Sequence, residues 1–431
     1  MNALALQIIE TLRAAGFEAY LVGGAARDLL MGGEPHDYDI ATNAPPDDVR
    51  GLFPKTIAVG ARFGVIVVVQ EDQHFEVATF RSDGAYLDGR RPVEVHFSSA
   101  EEDAKRRDFT INGLMYDPLE ERWLDFVGGR RDLELGLIRA IGDPGARFAE
   151  DHLRLLRAVR FATRFNFQLE PETLAAIRTN AATITNISAE RIGEELTKII
   201  CGPRAGQAIR LLHDCGLLEY VLPEIAAMDG VEQPPEFHPE GDVLTHTCLM
   251  LDLLNEPTPA LAWGALLHDV GKPPCFRVAE RIRFDGHCER GAEMALEIGH
   301  RMRLSGALTE RIAYLVRHHL RINTIPEMRP ARRIRFMREE PFAELLELLR
   351  LDSLGSGGTR KNHDVISVFY EAELAKGPPR APLLTGRDLI ELGLSPGPLF
   401  GEILEAAETE QLEGRLTDSA AALAWVKERF L

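Results

Sequence analysis

Cysteine is scarce and scattered: Cys201, Cys215, Cys248, Cys275 and Cys288 are the only five in 431 residues, and no two form a Cys-x-x-Cys pair. An odd, dispersed set excludes a disulfide framework and reads as the reduced thiols of a cytoplasmic protein. Long apolar runs are missing too, which excludes a helix that spans a bilayer. Residues 1–17 have the spacing of an amphipathic helix (Leu4, Ile8, Ile9, Leu12). They carry Glu10 and Arg13 and lack a basic start or a small-residue cleavage site, so no signal peptide is expected. Positive charge is in deficit: 49 Lys and Arg stand against 67 Asp and Glu, a net charge of −18 that argues against indiscriminate nucleic-acid binding. The basic residues are nevertheless clustered. Ten arginines between Arg301 and Arg338 meet only Glu310 and Glu327, either as solvated helix faces or as a phosphate-tracking stripe. Repeats and low-complexity segments are absent as well.

What is present divides the chain. Residues 1–135 mix short β-rich runs with helices. Gly64 to Val69 is β-branched and apolar and predicts a central strand, and His74 to Phe80 and Val93 to Phe97 alternate as half-exposed strands. From about Phe148 the period becomes helical, with helices expected over Glu150–Phe165, Pro171–Asn180 and Ala189–Cys201, the last capped by Ser188. The architecture expected is an α/β head with a mixed sheet over 1–135, an all-α neck over 136–235, a third helical domain over 236–353 and a helical tail over 354–431.

The chemistry is concentrated near the start. An apolar strand runs into Gly23-Gly24 and a short helix carrying Arg27, followed by Asp37 and Asp39 one residue apart. Residues i and i+2 of an extended segment share a face, so the two carboxylates are presented together. Hard oxygen ligands of this kind suit Mg²⁺, and the glycine pair opening a helix suits a phosphate. Glu76 on an alternating strand is a candidate third carboxylate for a two-metal site. Arg107 is placed to reach a triphosphate or sugar, with Asn112 supporting it. Farther on, Asp151, Arg154, Arg157 and Arg160 recur every three residues, which predicts one polar helical stripe. Cytosine and adenine both offer an amino donor beside a ring-nitrogen acceptor. An aspartate acceptor next to an arginine donor would take C and A and reject U and G.

In their order these motifs resemble the bacterial class II CCA-adding enzymes and poly(A) polymerases of the polymerase-beta-like nucleotidyltransferase superfamily, across residues 18–200: Leu21 to Asp28 with Asp37-x-Asp39, Arg107-Asp108-Phe109-Thr110, Asp125 to Gly129, and Glu150-Asp151-x-x-Arg154. The resemblance implies Asp37 and Asp39 as metal ligands and Gly24, Arg27 and Arg107, with Gly23, Asp108 and Asn112 beside them, as nucleotide-binding residues. It implies Asp151, Arg154, Arg157 and Arg160 as readers of base and triphosphate, and Asp83 to Pro92 as the loop governing the switch from C to A addition. The partners it implies are tRNA, CTP and ATP. Alanine at Ala61 where poly(A) polymerases carry a second basic residue, and an acidic tail after Pro382, favour CCA addition over poly(A) synthesis. An enzyme adding only the terminal A stays open.

A second set consists of His246, His268-Asp269, His287, His318-His319 and Asp352. Mixed imidazole and carboxylate ligands suit a divalent metal that activates water. The set resembles the HD phosphohydrolase superfamily across 240–353. That implies His246, His268, Asp269 and Asp352 as ligands of a divalent metal of unknown identity, with His287 and His318 or His319 adding a second ion. Two further readings are an HD phosphodiesterase whose head only senses nucleotides, and a non-catalytic RNA-binding protein. The paired carboxylates count against the latter.

Overall fold

The structure is a computed structural model that describes residues 2–60, 63–84, 95–236, 238–378 and 381–431, and it separates into two compact units, Met1–Ala226 and Ala227–Leu431. The loop expected over Asp83 to Pro92 lies almost wholly outside the described residues, as does Ala61.

The first unit is built on a mixed sheet. Its strands are β1 (Ala19–Val22), β2 (Ile40–Thr42), β3 (Thr56–Gly60), β4 (Val65–Gln70) and β5 (Gln73–Thr79), with β6 (Arg81–Asp83) and β7 (Val95–Phe97) forming a separate two-stranded ribbon. β8 (Met115–Asp117) and β9 (Arg122–Leu124) complete the sheet in the order β3-β4-β5-β2-β1-β8-β9. Among the described residues of this sheet only the β2–β5 pair is parallel, while Leu137–Ile138 and Gln168–Leu169 form a separate short parallel pair. All four residues of β1 are buried, because helices cover both of its faces. Leu21, Ile40, Ile66, Val68, Phe75 and Val77 pack with Ile8, Ile9 and Leu12 of α1 (Ala3–Ala14) and Val49 of α3 (Pro46–Leu52) on one face. Tyr20, Val22, Ala41 and Met115 pack with Ala100 and Ala104 of α4 (Ala100–Lys105) on the other. A fully buried aliphatic side chain of this kind contributes roughly 1.5–3 kcal/mol. The β4 run expected at the centre sits one strand in from the edge; its Ile66 and Val68 are buried while Val65 and Val67 are half-buried.

Helix α2 (Gly24–Leu30) follows β1 directly, and α5 (Gly129–Leu135) follows β9. The start of α5 is held by Asp125, whose carboxylate accepts from the backbone amides of Val127, Gly128, Gly129 and Arg130 at 2.9–3.2 Å. Beyond it, α6 (Pro144–Glu150), α7 (Arg154–Phe165), α8 (Pro171–Asn180), α9 (Ala189–Ile200) and α10 (Ala205–Asp214) are the helical part of the unit. The single helix expected from Glu150 to Phe165 is broken, because Asp151 is extended (φ −143°, ψ 104°). Ser188 does stand at the start of α9, but its side chain makes no capping hydrogen bond.

The second unit is predominantly helical. Helices Val243–Asp252, Pro259–Leu267, His287–Arg301, Gly306–His318 and Phe342–Gly355 are its main elements, and Gly386–Glu391, Pro398–Leu412 and Ser419–Phe430 share a small core of their own around Leu389, Ile403 and Val426. The arginine-rich stretch is partly committed inside this unit. Arg311 pairs with Glu340 and Glu344, Arg335 with Glu408 and Arg338 with Glu373, while Arg321 and Arg333 lie over the rings of Phe336 and Phe369.

Close backbone approach sets α5 against the turn that carries Asn112. A Cβ at Gly129 would lie 2.2 Å from the Thr110 carbonyl oxygen and 3.0 Å from Leu114 Cγ. Gly129→Ala is expected to destabilise the protein by about 2–3 kcal/mol through overpacking. Gly51→Ala in α3, whose Cβ would meet nothing within 4 Å, is expected to be neutral or to stabilise by up to about 1 kcal/mol. Urea-unfolding midpoints of the two variants check this, and equal midpoints would contradict it.

Candidate functional sites: an arginine-lined acidic cavity and a histidine cluster

In the first unit a cavity of about 590 Å³ opens where β1, α2, the Arg106–Asn112 segment and α7 meet. Gly23, Gly24, Arg27, Asp37, Asp39, Arg107, Asp108, Asn112, Asp151, Arg154, Arg157 and Arg160 all line it. Asp39 precedes β2, and its backbone carbonyl accepts from Val22 at 3.0 Å. Gly23 has φ +62°, a left-handed conformation that favours glycine, and a Cβ there would lie 3.0 Å from Arg107 Nη1 and 3.8 Å from Asp39 Oδ2. The glycine thus keeps the space between the carboxylate and the guanidinium open. Among the described residues neither the Asp37 nor the Asp39 carboxylate is held by a hydrogen bond or an ion pair. Burial first, then the nearby Glu76 and Asp37 charges, push the Asp39 carboxyl above the usual carboxylate range, against the opposing pull of Arg107. Unsatisfied anionic oxygens of this kind are the donor set a hard divalent cation takes. Glu76 does not line the cavity. It is exposed on β5, whose Val77 is in register with Ile40, so it neighbours Asp39 across the parallel β2–β5 pair.

The arginines are held by a chain of charge-assisted bonds. Arg157 donates from Nε and Nη2 to Asp108 Oδ2 at 2.8 and 2.6 Å, and Asn112 donates to Asp108 Oδ1 at 2.9 Å. Asn112 accepts in turn from Arg27 Nη1 at 2.6 Å, and Arg27 also donates to Asp28. Burial works to raise the Asp108 carboxyl, but Arg157, Asn112 and the Phe109 amide hold it at about 2. Both Asp108 oxygens therefore accept within this chain, which positions Arg157 and Asn112 at the wall of the cavity that Asp108 also lines. Phe161 sits among the cations, with the guanidinium carbons of Arg27, Arg157 and Arg160 at 5.6, 5.3 and 4.4 Å from its ring centre.

The single polar stripe is corrected. Asp151 lies before α7, not on it, since its extended backbone ends α6. Each arginine has a different internal acid: Arg154 pairs with Glu150, Arg157 with Asp108, and Arg160 with Glu195 of α9 at 2.5 Å. Asp151 is paired with Arg191 of α9 at 2.9 Å and accepts from the Leu153 amide at 3.1 Å. Arg191, Arg164 and Phe161 line the cavity without having been singled out in the sequence. Arg191 reaches Asp151 across 40 residues, and no local spacing signals that pair.

In the second unit His246, His268, Asp269, His287, His319 and Asp352 come together, five of them at most 8% exposed. Nδ1 of His246 bonds Glu240 at 2.8 Å, and Nδ1 of His268, His287 and His319 bonds the carbonyls of Ala265, Phe284 and Val316 at 2.9, 2.8 and 2.7 Å. The carbonyl acceptors place the proton of His268, His287 and His319 on Nδ1 and turn Nε2 toward the cluster, whereas at His246 the opposing effect of burial is outweighed by Asp352 and Glu240 on either side, which push it up to about 9. His246 Nε2 lies 3.1 Å from Asp352 and His268 Nε2 3.0 Å from Asp269, yet both buried nitrogens lack hydrogen-bond geometry. Lone pairs and carboxylates converging in this way fit a cation. Burial opposes ionisation of Asp352, but His246 and His268 hold it at about 2; His319 is pushed down to about 4, chiefly by burial.

His318 is separated from this set. It turns away from the cluster, packed against Tyr314 and Phe336 at ring separations of 4.5 and 5.6 Å. Of the adjacent pair only His319 belongs to the cluster, because a helical step of one residue turns the side chain about 100° away. Glu240 and His238, 2.8 Å apart, were not anticipated; neither lies in a spacing that marks a ligand.

The chain matches three family models: "Poly A polymerase head domain" over residues 19–139, "Probable RNA and SrmB- binding site of polymerase A" over 166–229, and "HD domain" over 243–351. A CCA-adding enzyme of Geobacillus thermodenitrificans is 49% identical over 223 residues, 52% of this chain and 55% of that one, so the matched stretch spans about half of that relative. One of Levilactobacillus brevis is 31% identical over 423 residues, 97% of this chain and 96% of that one. The crystal structure of the Bacillus stearothermophilus CCA-adding enzyme in complex with CTP has 30% identity and a TM-score of 0.77, covering 100% of this chain and 98% of that one. A Thermotoga maritima CCA-adding enzyme complexed with tRNA shares the fold at 20% identity and a TM-score of 0.60. No described helix is long and apolar enough to cross a membrane. Full-length similarity to a relative and to a solved structure, over a head and a histidine cluster of the geometry above, shows that the chain belongs to the CCA-adding enzyme family.

Proposed function

We propose that this chain is a cytoplasmic, template-independent tRNA nucleotidyltransferase that builds or repairs the 3′-terminal CCA from CTP and ATP, and that its HD cluster is a divalent-metal phosphohydrolase centre. The observation that carries the first reading is the unpaired Asp37–Asp39 carboxylates facing an arginine-lined cavity. We read 1–135 as the nucleotidyltransferase head, 136–235 as the base-reading neck, 236–353 as the HD domain and 354–431 as the tail.

Asp37 and Asp39, with Glu76 beside them, hold Mg²⁺, which when bound lowers the barrier for a 3′-hydroxyl to displace pyrophosphate. The residues do the rest by position and charge. Gly23 and Gly24 let the triphosphate approach the backbone, and Arg27 and Arg107 neutralise it. Arg157, fixed by Asp108 and Asn112, keeps its charge directed at the same phosphates. Asp151 accepts from the amino group of cytosine or adenine while Arg154 donates to the neighbouring ring nitrogen. Arg191 orients the Asp151 carboxylate. In the HD cluster, His246, His268, Asp269 and Asp352 hold the metal, with His287 and His319 available for a second ion.

Purified protein, tRNA lacking CCA and each labelled nucleotide decide the main reading. The expected product is C, C and A; addition of A alone, once or in long tracts, overturns it. Asp39→Ala is expected to abolish transfer and spare phosphoester hydrolysis, and His268→Ala to do the reverse. Retained activity in both assays for Asp39→Ala would make the head a sensor.

Arg191→Met is expected to lower the CTP-over-UTP ratio of kcat/KM at least about tenfold, because an unfixed Asp151 no longer penalises the mismatched edge. An unchanged ratio removes Arg191 from selection.

Asp39 also links pH to stability. Its folded pKa lies above the unfolded value, so its charge costs stability at neutral pH, and that cost is relieved as pH falls through the folded pKa. Without divalent ions Asp39→Asn is therefore expected to melt higher than the native chain at pH 7, with the difference shrinking on acidification. Thermal scans with EDTA test this, and a lower melting temperature for the variant contradicts it.

A further inference from the structure

His287 and His319 face each other with Nε2 atoms 3.4 Å apart. Each ring already donates from Nδ1 to a backbone carbonyl, which can only accept. Two neutral rings in that state present lone pairs to one another, and two lone pairs form no hydrogen bond. Asp269 Oδ1 completes the approach at 3.6 Å from His287 Nε2 and 3.7 Å from His319 Nε2. Cys288 Sγ lies 3.6 Å from His287 Nε2, and its donor atom falls within 4.8 Å of both histidine nitrogens. His287 Nε2, His319 Nε2 and Cys288 Sγ thus lie within 4.8 Å of one another, with Asp269 Oδ1 against both nitrogens and no donor hydrogen on either Nε2.

We propose that His287, Cys288, His319 and Asp269 Oδ1 form a tetrahedral site for a borderline-soft divalent cation, Zn²⁺ or Co²⁺, bound through the Cys288 thiolate. This rests on the HD metal reading above and extends it by naming a thiolate ligand and the class of ion it selects. The spacings carry the argument. Zinc bonds of about 2.0–2.1 Å to nitrogen and about 2.3 Å to sulfur give tetrahedral edges of about 3.4 Å for N···N and about 3.6 Å for N···S. The His287–His319 and His287–Cys288 edges are 3.4 and 3.6 Å, the two nitrogen–carboxylate edges need to close by only a few tenths of an ångström, and the His319–Cys288 edge lies within 4.8 Å. Mg²⁺ demands an octahedron of oxygens and gains little from sulfur or imidazole, so the donor set discriminates against it.

Asp269 joins this site to the first. Its Oδ1 faces His287 and His319, while its Oδ2 faces His268 and accepts from Lys272 at 2.7 Å. One carboxylate therefore bridges two ion positions. On binding, the Cys288 S–H bond is replaced by a sulfur–metal bond and the proton leaves to solvent. His287 and Cys288 line a cavity of about 820 Å³ with Arg281 and Arg283, which gives an ion and an anionic ligand a route to the site.

The test uses the full chain, freed of metal and reloaded with Zn²⁺ or Co²⁺ alone. Elemental analysis is expected to give two ions per chain, and the Co²⁺ form a thiolate-to-cobalt charge-transfer band in the near ultraviolet. Cys288→Ser is expected to lose the band and one ion, with Zn²⁺ affinity at that site falling at least about 100-fold, beyond the loss typical of an outer-shell partner. Cys288→Asp is expected to keep two ions without the band, which separates a lost ligand from a lost fold. Two ions with no band in the native chain, or an unchanged band in Cys288→Ser, overturns the thiolate site while leaving the HD reading intact. Binding of no ion at all overturns the HD reading itself.

Discussion

The first unit depends on one buried chain of charge-assisted hydrogen bonds, Arg157–Asp108–Asn112–Arg27–Asp28. It ties together α2, the Arg106–Asn112 segment and α7, which are far apart in sequence. A buried ion pair is weak evidence for stability, because the desolvation of both charges offsets much of their attraction. Here the pair does something else. It fixes guanidinium groups around one cavity and one phenyl ring, where unaided they would repel and turn outward.

The two sites solve opposite electrostatic problems. In the head, arginines and the unpaired Asp37 and Asp39 carboxylates line the same cavity, so groups of both signs face one space. In the HD cluster the excess is of electron pairs. Backbone carbonyls take every Nδ1 of His268, His287 and His319, which forces their Nε2 atoms inward toward Asp269 and Asp352. Lys272 is the cation that answers part of this excess, donating to Asp269 Oδ2 at 2.7 Å, and buried acceptors left without a donor are costly.

Much of this was legible in the sequence because it is local. Gly23-Gly24, Asp37-x-Asp39 and His268-Asp269 announce themselves at spacings of one or two residues, and alternation put Glu76 on the face opposite Phe75 and Val77, where it is exposed. The onset of helical periodicity near Phe148 marked where the strands give way to helices. The break at Asp151 was not legible, since a run of charged and leucine residues with helical period carries no stop signal. Where the backbone is extended, the Asp151 carboxylate is held both locally, by the Leu153 amide, and across 40 residues, by Arg191. His318 and His319 were indistinguishable for a similar reason, because only the packing of their helix decides which face turns inward.

Sequence alone determined the mixed α/β head followed by helices, the identity of the two acidic and histidine centres, and the family. Those follow from chain-local spacing, which hydrophobic periodicity and backbone geometry translate directly into shape. Tertiary structure alone decided that Asp108 is held between Arg157 and Asn112, that Arg191 and Glu195 pair with Asp151 and Arg160, and that Cys288 joins His287 and His319. These assignments depend on contacts between residues tens of positions apart, and such contacts are selected by packing and by the cost of leaving buried charges unpaired, which no local pattern encodes.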